Sequence, residues 1–125
     1  MNKNLAIASV LGFLAVTFGA FGAHALKESL SVEALNSFET AVRYQMYHVI
    51  VLLFVNSYRG FSEKAKNRIS YFFFTGILFF SGSIYAIQIV KVPAKSIWFV
   101  TPLGGLLLII GWALMSISFL KSNEQ

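Results

Sequence analysis

The chain has 125 residues, of which 57% are hydrophobic, 16% aromatic and only 12% charged, against about 25% charged in a soluble domain. Ten Lys and Arg against five Glu, with no Asp, leave a net charge of +5. Uncharged runs over residues 4–26, 44–58, 69–90 and 96–120 hold most of the chain. About 20 apolar residues of helix cross a hydrocarbon layer about 30 Å thick, so a soluble globular domain is excluded.

The first span runs over residues 5–26. Lys3, the apolar stretch and Ala23-His24-Ala25 imitate a cleavable signal peptide, but an uncharged run this long exceeds a signal core of about 7–15 residues. A retained helix is expected. The second uncharged run is short. Extended back through Ala41 and Val42, with Arg43 snorkelling to the interface, it gives a span over 41–58. Upstream, Val32, Leu35, Phe38 and Val42 recur at helical steps, with Ser31 as N-cap and Glu39–Arg43 as an i,i+4 ion pair. This segment is expected to be a short interfacial amphipathic helix feeding the second span. Residues 59–68 form a polar loop, and the third span covers 69–90. Lys91-Val-Pro-Ala-Lys95 is a turn, since Pro93 stops a continuous helix. The fourth span covers 97–120, with Trp98 as an interfacial anchor and Thr101-Pro102 as a cap and first-turn pair. The tail from Lys121 to Gln125 is solvated.

The expected architecture is all-α, a four-helix transmembrane bundle forming one integral membrane domain over residues 1–125. Four spans put both termini and the 59–68 loop on one side, with Lys3, Arg59, Lys64, Lys66, Arg68 and Lys121. Lys27, Arg43, Lys91 and Lys95 lie on the other. The positive-inside rule then places the termini in the cytoplasm of a multi-pass plasma-membrane protein. Its partner is the lipid bilayer, and nucleic acid is excluded because the cations form no stripe. Without cysteine, thiolate metal sites and thiol nucleophiles are excluded.

Helices in lipid approach through small residues. Ala8, Gly12, Ala15, Gly19 and Gly22 recur at alternating four- and three-residue steps on the first span. Gly104, Gly105 and Gly111, with Thr101, Leu108 and Met115, are expected to answer on the fourth, while Gly76, Gly82 and Ser83 serve the third. The polar residues gather at one depth. His24 lies near the outer end of span one, and Tyr44, Gln45 and His48 in the first two turns of span two. Ser81, Ser83, Tyr85 and Gln88 end span three, and Thr101 opens span four. Intramembrane polar groups must be paired or hydrated. They therefore either bond one another across helices or line a small pocket open to the outer leaflet, with His24, Tyr44, Gln45, His48, Ser83, Tyr85 and Thr101 as the ligand-binding set. Two His on separate helices also suit a haem or a proton relay. No span contains Asp or Glu, and no metal-ligand spacing occurs. No catalytic residue, metal or cofactor is assigned.

Four segments occur in order: Gly19-Ala-Phe-Gly-Ala-His-Ala-Leu26, Tyr44-Gln-Met-Tyr-His48, Phe79-Phe-Ser-Gly-Ser-Ile-Tyr85, and Thr101-Pro-Leu-Gly-Gly105 with Gly111-Trp112. Over essentially its whole length the chain resembles the small four-helix membrane proteins catalogued as domain of unknown function 423, the YwdK/YgdD-like UPF0382 group, to which a eukaryotic transmembrane protein is related. The resemblance implies an integral membrane protein with bacterial look-alikes and supplies no activity. Some members carry a second His four residues before the one matching His48, where this chain has Tyr44. The expected role is a structural or lipid- or small-ligand-interacting bundle without enzymatic activity. An oligomeric transporter or channel subunit, working as a homo-oligomer, is the alternative, and a His-dependent enzyme or haem protein the third.

Overall fold

A computed structural model describes residues 2–122, and within them every regular element is helical. Helix α1 (Asn2–Phe21) continues into a π-helical turn, Gly22–Leu26, and α2 spans Val32–Ser57. Helix α3 (Glu63–Tyr85) continues into a second π-turn, Ala86–Val90. A four-residue helix, α4 (Ala94–Ile97), precedes α5 (Val100–Ser122). Three stretches, Lys3–Leu26, Glu63–Val90 and Ala94–Ser122, are long and apolar enough to cross a membrane. Residues 123–125 of the expected solvated tail lie outside the described residues.

Several boundaries differ from the sequence expectation for identifiable reasons. Ser31 caps α2 as expected, accepting the Ala34 N–H at 3.1 Å. From there the helix runs unbroken to Ser57, since no Gly or Pro interrupts it. Residues 31–40 are therefore the first turns of α2 and not a separate interfacial helix. Phe38, within them, is fully buried. The expected Glu39–Arg43 pair does not form: Arg43 donates to the Thr40 hydroxyl at 3.1 Å. The ion pair among the described residues is Lys66–Glu63, at 3.6 Å. Residues 63–68 of the expected 59–68 loop are helical, because Ser62 accepts the Ala65 N–H at 3.1 Å and starts α3 one residue later. Thr101 is not a cap. Helix α5 already includes Val100 and Thr101, and Pro102 sits in its first turn, where a missing N–H leaves no bond unmade. Lys91 ends the second π-turn in the left-handed region, at φ 68°.

Packing follows chain order, α1 on α2, α2 on α3 and α3 on α5, so α2 and α3 are central and α1 and α5 form the edges. Short connections favour this arrangement, because consecutive antiparallel helices are the natural neighbours. The small stripe of α1 faces α2, not the fourth span. Ala8 and Ala15 are buried, and a Cβ on Gly12 would stand 3.2 Å from Val49, on Gly19 3.5 Å from Val42, and on Gly22 2.6 Å from the Phe38 ring. The stripe of α5 faces α3. A Cβ on Gly111 would stand 2.7 Å from the Phe73 ring, and one on Gly104 would collide with the backbone of Phe79 and Phe80. Gly105 makes only an ordinary contact, 3.9 Å from the Phe80 ring. Gly82 meets no other helix: a Cβ there would touch only Leu78 of its own. The core is Leu52 and Val55 of α2, Ile69, Phe73 and Ile77 of α3, Ala8, Phe61 and Leu108.

Candidate functional site

Because α2 starts at Val32, His48 lies about 24 Å along it at 1.5 Å per residue, near mid-height and not in the outer third. Its ring stands 5.3 Å from Phe73 and 5.9 Å from Trp112, each also near the middle of its helix. Only 5% of His48 is exposed. Nε2 accepts from the Trp112 indole N–H at 3.0 Å, and Nδ1 lies 2.6 Å from the Tyr44 carbonyl. An indole N–H only donates and a carbonyl only accepts, so the ring is the neutral Nδ1–H tautomer with both nitrogens engaged. Trp112, not singled out as a site residue from the sequence, ties α5 to α2. Its apolar ring masked a donor that only the fold could assign.

Toward the end with the two π-turns, Gln45 bridges three helices. Its amide nitrogen donates to the Leu11 carbonyl of α1, and its Oε1 accepts from the Tyr85 hydroxyl of α3, both at 2.7 Å. The Tyr85 ring rests 4.8 Å from Phe18 and 5.5 Å from Phe38. Ser81 donates to the Ala41 carbonyl at 2.7 Å, and the Ser83 and Thr101 hydroxyls meet at 2.5 Å. Tyr44 is exposed, its ring 4.9 Å from Phe80. His24 is exposed on the first π-turn. Gly12 lies level with Val49, which puts His24 and His48 about 16 Å apart along the axis. One haem or one proton hop does not join them.

A further polar group sits at the opposite end, where sequence reading found little. The Asn56 amide donates to Ser70 at 2.8 Å and accepts from Asn4 at 2.9 Å, and Asn4 also reaches Asn67 at 3.1 Å. Three asparagines and a serine from α1, α2 and α3 thus interlock. Each alone reads as an ordinary polar residue, and only antiparallel register brings them together. Among the described residues every buried side-chain nitrogen or oxygen has a partner.

Two cavities flank this paired interior. One, of about 430 Å³, lies at the π-turn end between the first turns of α2 and the ends of α3 and α5. Asn36, Ser37, Thr40, Gln88 and Thr101 supply its polar wall, and Ile84, Ile87 and Ala94 the rest. Among the described residues no ionisable side chain lines it. The other, of about 290 Å³, lies at the α2–α3 turn beside the last turns of α5.

A family model described as "Protein of unknown function (DUF423)" matches residues 18–105. A UPF0382 membrane protein of Staphylococcus saprophyticus is 37% identical over 97% of this chain and 99% of its own. One from Haemophilus influenzae is 36% identical over 98% of each chain. The UPF0382 inner membrane protein YgdD of Escherichia coli is 32% identical over 97% of this chain and 92% of its own. The chain belongs to the DUF423 family. It is a small integral membrane protein. No solved structure matches it. The DUF423 match takes in Gln45, His48, Ser83, Tyr85, Thr101 and the whole wall of the larger cavity. It ends before Trp112, the partner of His48.

Proposed function

We propose that this DUF423 protein crosses the plasma membrane four times with both termini in the cytoplasm. In this role it is a non-enzymatic scaffold that receives a small uncharged polar group, from a lipid or a solute, in the cavity at its outer end. Helix α2 is the span that apolar content alone does not reveal. Its Gln45, His48 and Asn56 point inward and are paired, while Tyr47, Ile50 and Phe54 face outward. Paired polar groups in the interior of a bundle are compatible with lipid around it. At about 39 Å, α2 is as long as its neighbours. The cytoplasmic assignment rests on the six cations at the α2–α3 turn and the termini.

The observation that carries the ligand reading is the contrast between the two polar sets. Gln45, His48, Ser83 and Tyr85 bond across helices or to the backbone and act as fasteners. Asn36, Ser37 and Gln88, beside a Thr40 hydroxyl held between the Asn36 carbonyl and Arg43, line open space of about 430 Å³, within the usual range for small-ligand sites of about 300–1,000 Å³. Amides and hydroxyls without charge suit a neutral hydrogen-bonding group. Native mass spectrometry of protein released from membranes tests this. Wild-type protein is expected to carry a small adduct that the Asn36→Leu/Thr40→Val/Gln88→Leu variant lacks at unchanged melting temperature. Equal adducts on both, or none on either, would refute the proposal.

A further inference from the structure

At the α2–α3 turn, the cavity of about 290 Å³ has a different chemistry. Lys64 and Arg68 of α3 and Lys121 of α5 line it, together with the hydroxyls of Ser62, Ser118 and Ser122. Phe61, Ile69, Leu114 and Ile117 form its apolar side, and Ile117 and Leu120 are exposed on the adjoining face of α5. Among the described residues no carboxylate lines it, and Glu63, next to it in sequence, is drawn to Lys66. Lys64 and Arg68 stand one helical turn apart, a spacing at which like charges repel, and Lys121 adds a third cation from across the cavity. The Ser118 hydroxyl is spent on the Leu114 carbonyl and Ser62 caps α3, so the cations carry the recognition: three cations and an apolar flank suit a phosphate group attached to an apolar body.

We propose that this cavity is an anion site for a phosphate-bearing group, with the phosphate held by Lys64, Arg68 and Lys121 and the apolar part lying along Ile117 and Leu120. The site is separate from the outer cavity and depends on the four-span topology only for its height at the membrane surface. The chemistry is shared by the phosphodiester of an anionic phospholipid and by free phosphate, and binding experiments separate the two. Full-length protein in mixed nanodiscs is titrated with phosphatidylglycerol against phosphatidylcholine, and delipidated protein in neutral detergent with inorganic phosphate.

Phosphatidylglycerol is expected to bind at least ten-fold more tightly than phosphatidylcholine. Each of Lys64→Gln, Arg68→Gln and Lys121→Gln is expected to weaken it about five-fold, and the triple variant about a hundred-fold. Lys3→Gln/Arg59→Gln removes two charges from the same side, outside the cavity, and is expected to keep the preference. A phosphatidylglycerol preference without phosphate binding identifies the lipid headgroup, and phosphate binding lost in the triple variant identifies the free anion. The proposal is overturned if neither probe binds preferentially. Equal losses in the two multiple variants, or an unaltered preference in a folded triple variant, would overturn it too. Cysteine labelling of the loops reads topology independently, so a failed site and a failed topology give different results.

Discussion

Removing the His48 imidazole opens a gap between Phe73 and Trp112 and leaves the indole N–H without its acceptor. His48→Ala is therefore expected to cost about 2–4 kcal/mol, through lost packing and the lost interhelical bond. Trp112→Phe keeps most of the ring and removes the donor, which costs about 1 kcal/mol. Because the two residues share one bond, the double variant is expected to be less destabilised than the sum, by about 0.6–1.7 kcal/mol. Equilibrium unfolding of the four proteins in detergent measures it. Strict additivity would mean that the contact holds nothing together. The Gln45 amide works in the same way, with one donor and one acceptor spent on two different helices. Such side chains were legible as buried polar residues, because charge-free spans leave few alternatives. Their partners were not, since Leu11 offers only a backbone carbonyl and nothing in the spacing aims the Trp112 indole N–H at His48.

At the scale of the helices, the glycines of α3 and α5 do unequal work. A methyl at Gly104 has no room, because the α3 backbone at Phe79 and Phe80 occupies its place. A methyl at Gly82 meets only Leu78 of its own helix. Gly104→Ala is expected to lower stability by about 1–3 kcal/mol through overpacking. Gly82→Ala is expected to be neutral or slightly stabilising. Thermal melts followed by circular dichroism compare them, and equal effects would show that α3 and α5 are not closely apposed. The periodic small residues were visible in the sequence, but which helix each stripe would meet was not. Spacing at three and four residues specifies a face and says nothing of the neighbour, and short turns then favoured α2 for α1 and α3 for α5. His48 lies deeper than its sequence position suggests, because Glu33, Glu39 and Arg43 give the first turns of α2 the character of a surface segment. Phe38, buried against Gly22 and Tyr85, holds those turns inside the bundle.

For the molecule as a whole, α1 and α5 present apolar outer faces, Ile7, Val10, Phe13 and Val16 on one and Leu106, Ile109, Ile117 and Leu120 on the other. These faces suit acyl chains, and their exposed hydroxyls, Ser9, Thr17 and Ser116, are bonded to carbonyls of their own helices. Fold class and the order of the helices were readable from the uncharged runs, because the bilayer permits few backbone solutions. The two cavities were not readable, since one joins two distant stretches, 60–69 and 114–122, and the other joins three, 36–40, 84–88 and 94–101. The central claim is that α2 crosses the membrane, and the cysteine-free sequence allows a direct test. Single cysteines replace Glu28, Arg59, Lys95 and Ser122, and intact cells are treated with a membrane-impermeant maleimide. Glu28→Cys and Lys95→Cys are expected to be labelled from outside, and Arg59→Cys and Ser122→Cys only after permeabilisation. Labelling of Glu28→Cys and Arg59→Cys from the same side would contradict the account, because α2 would then not span the bilayer.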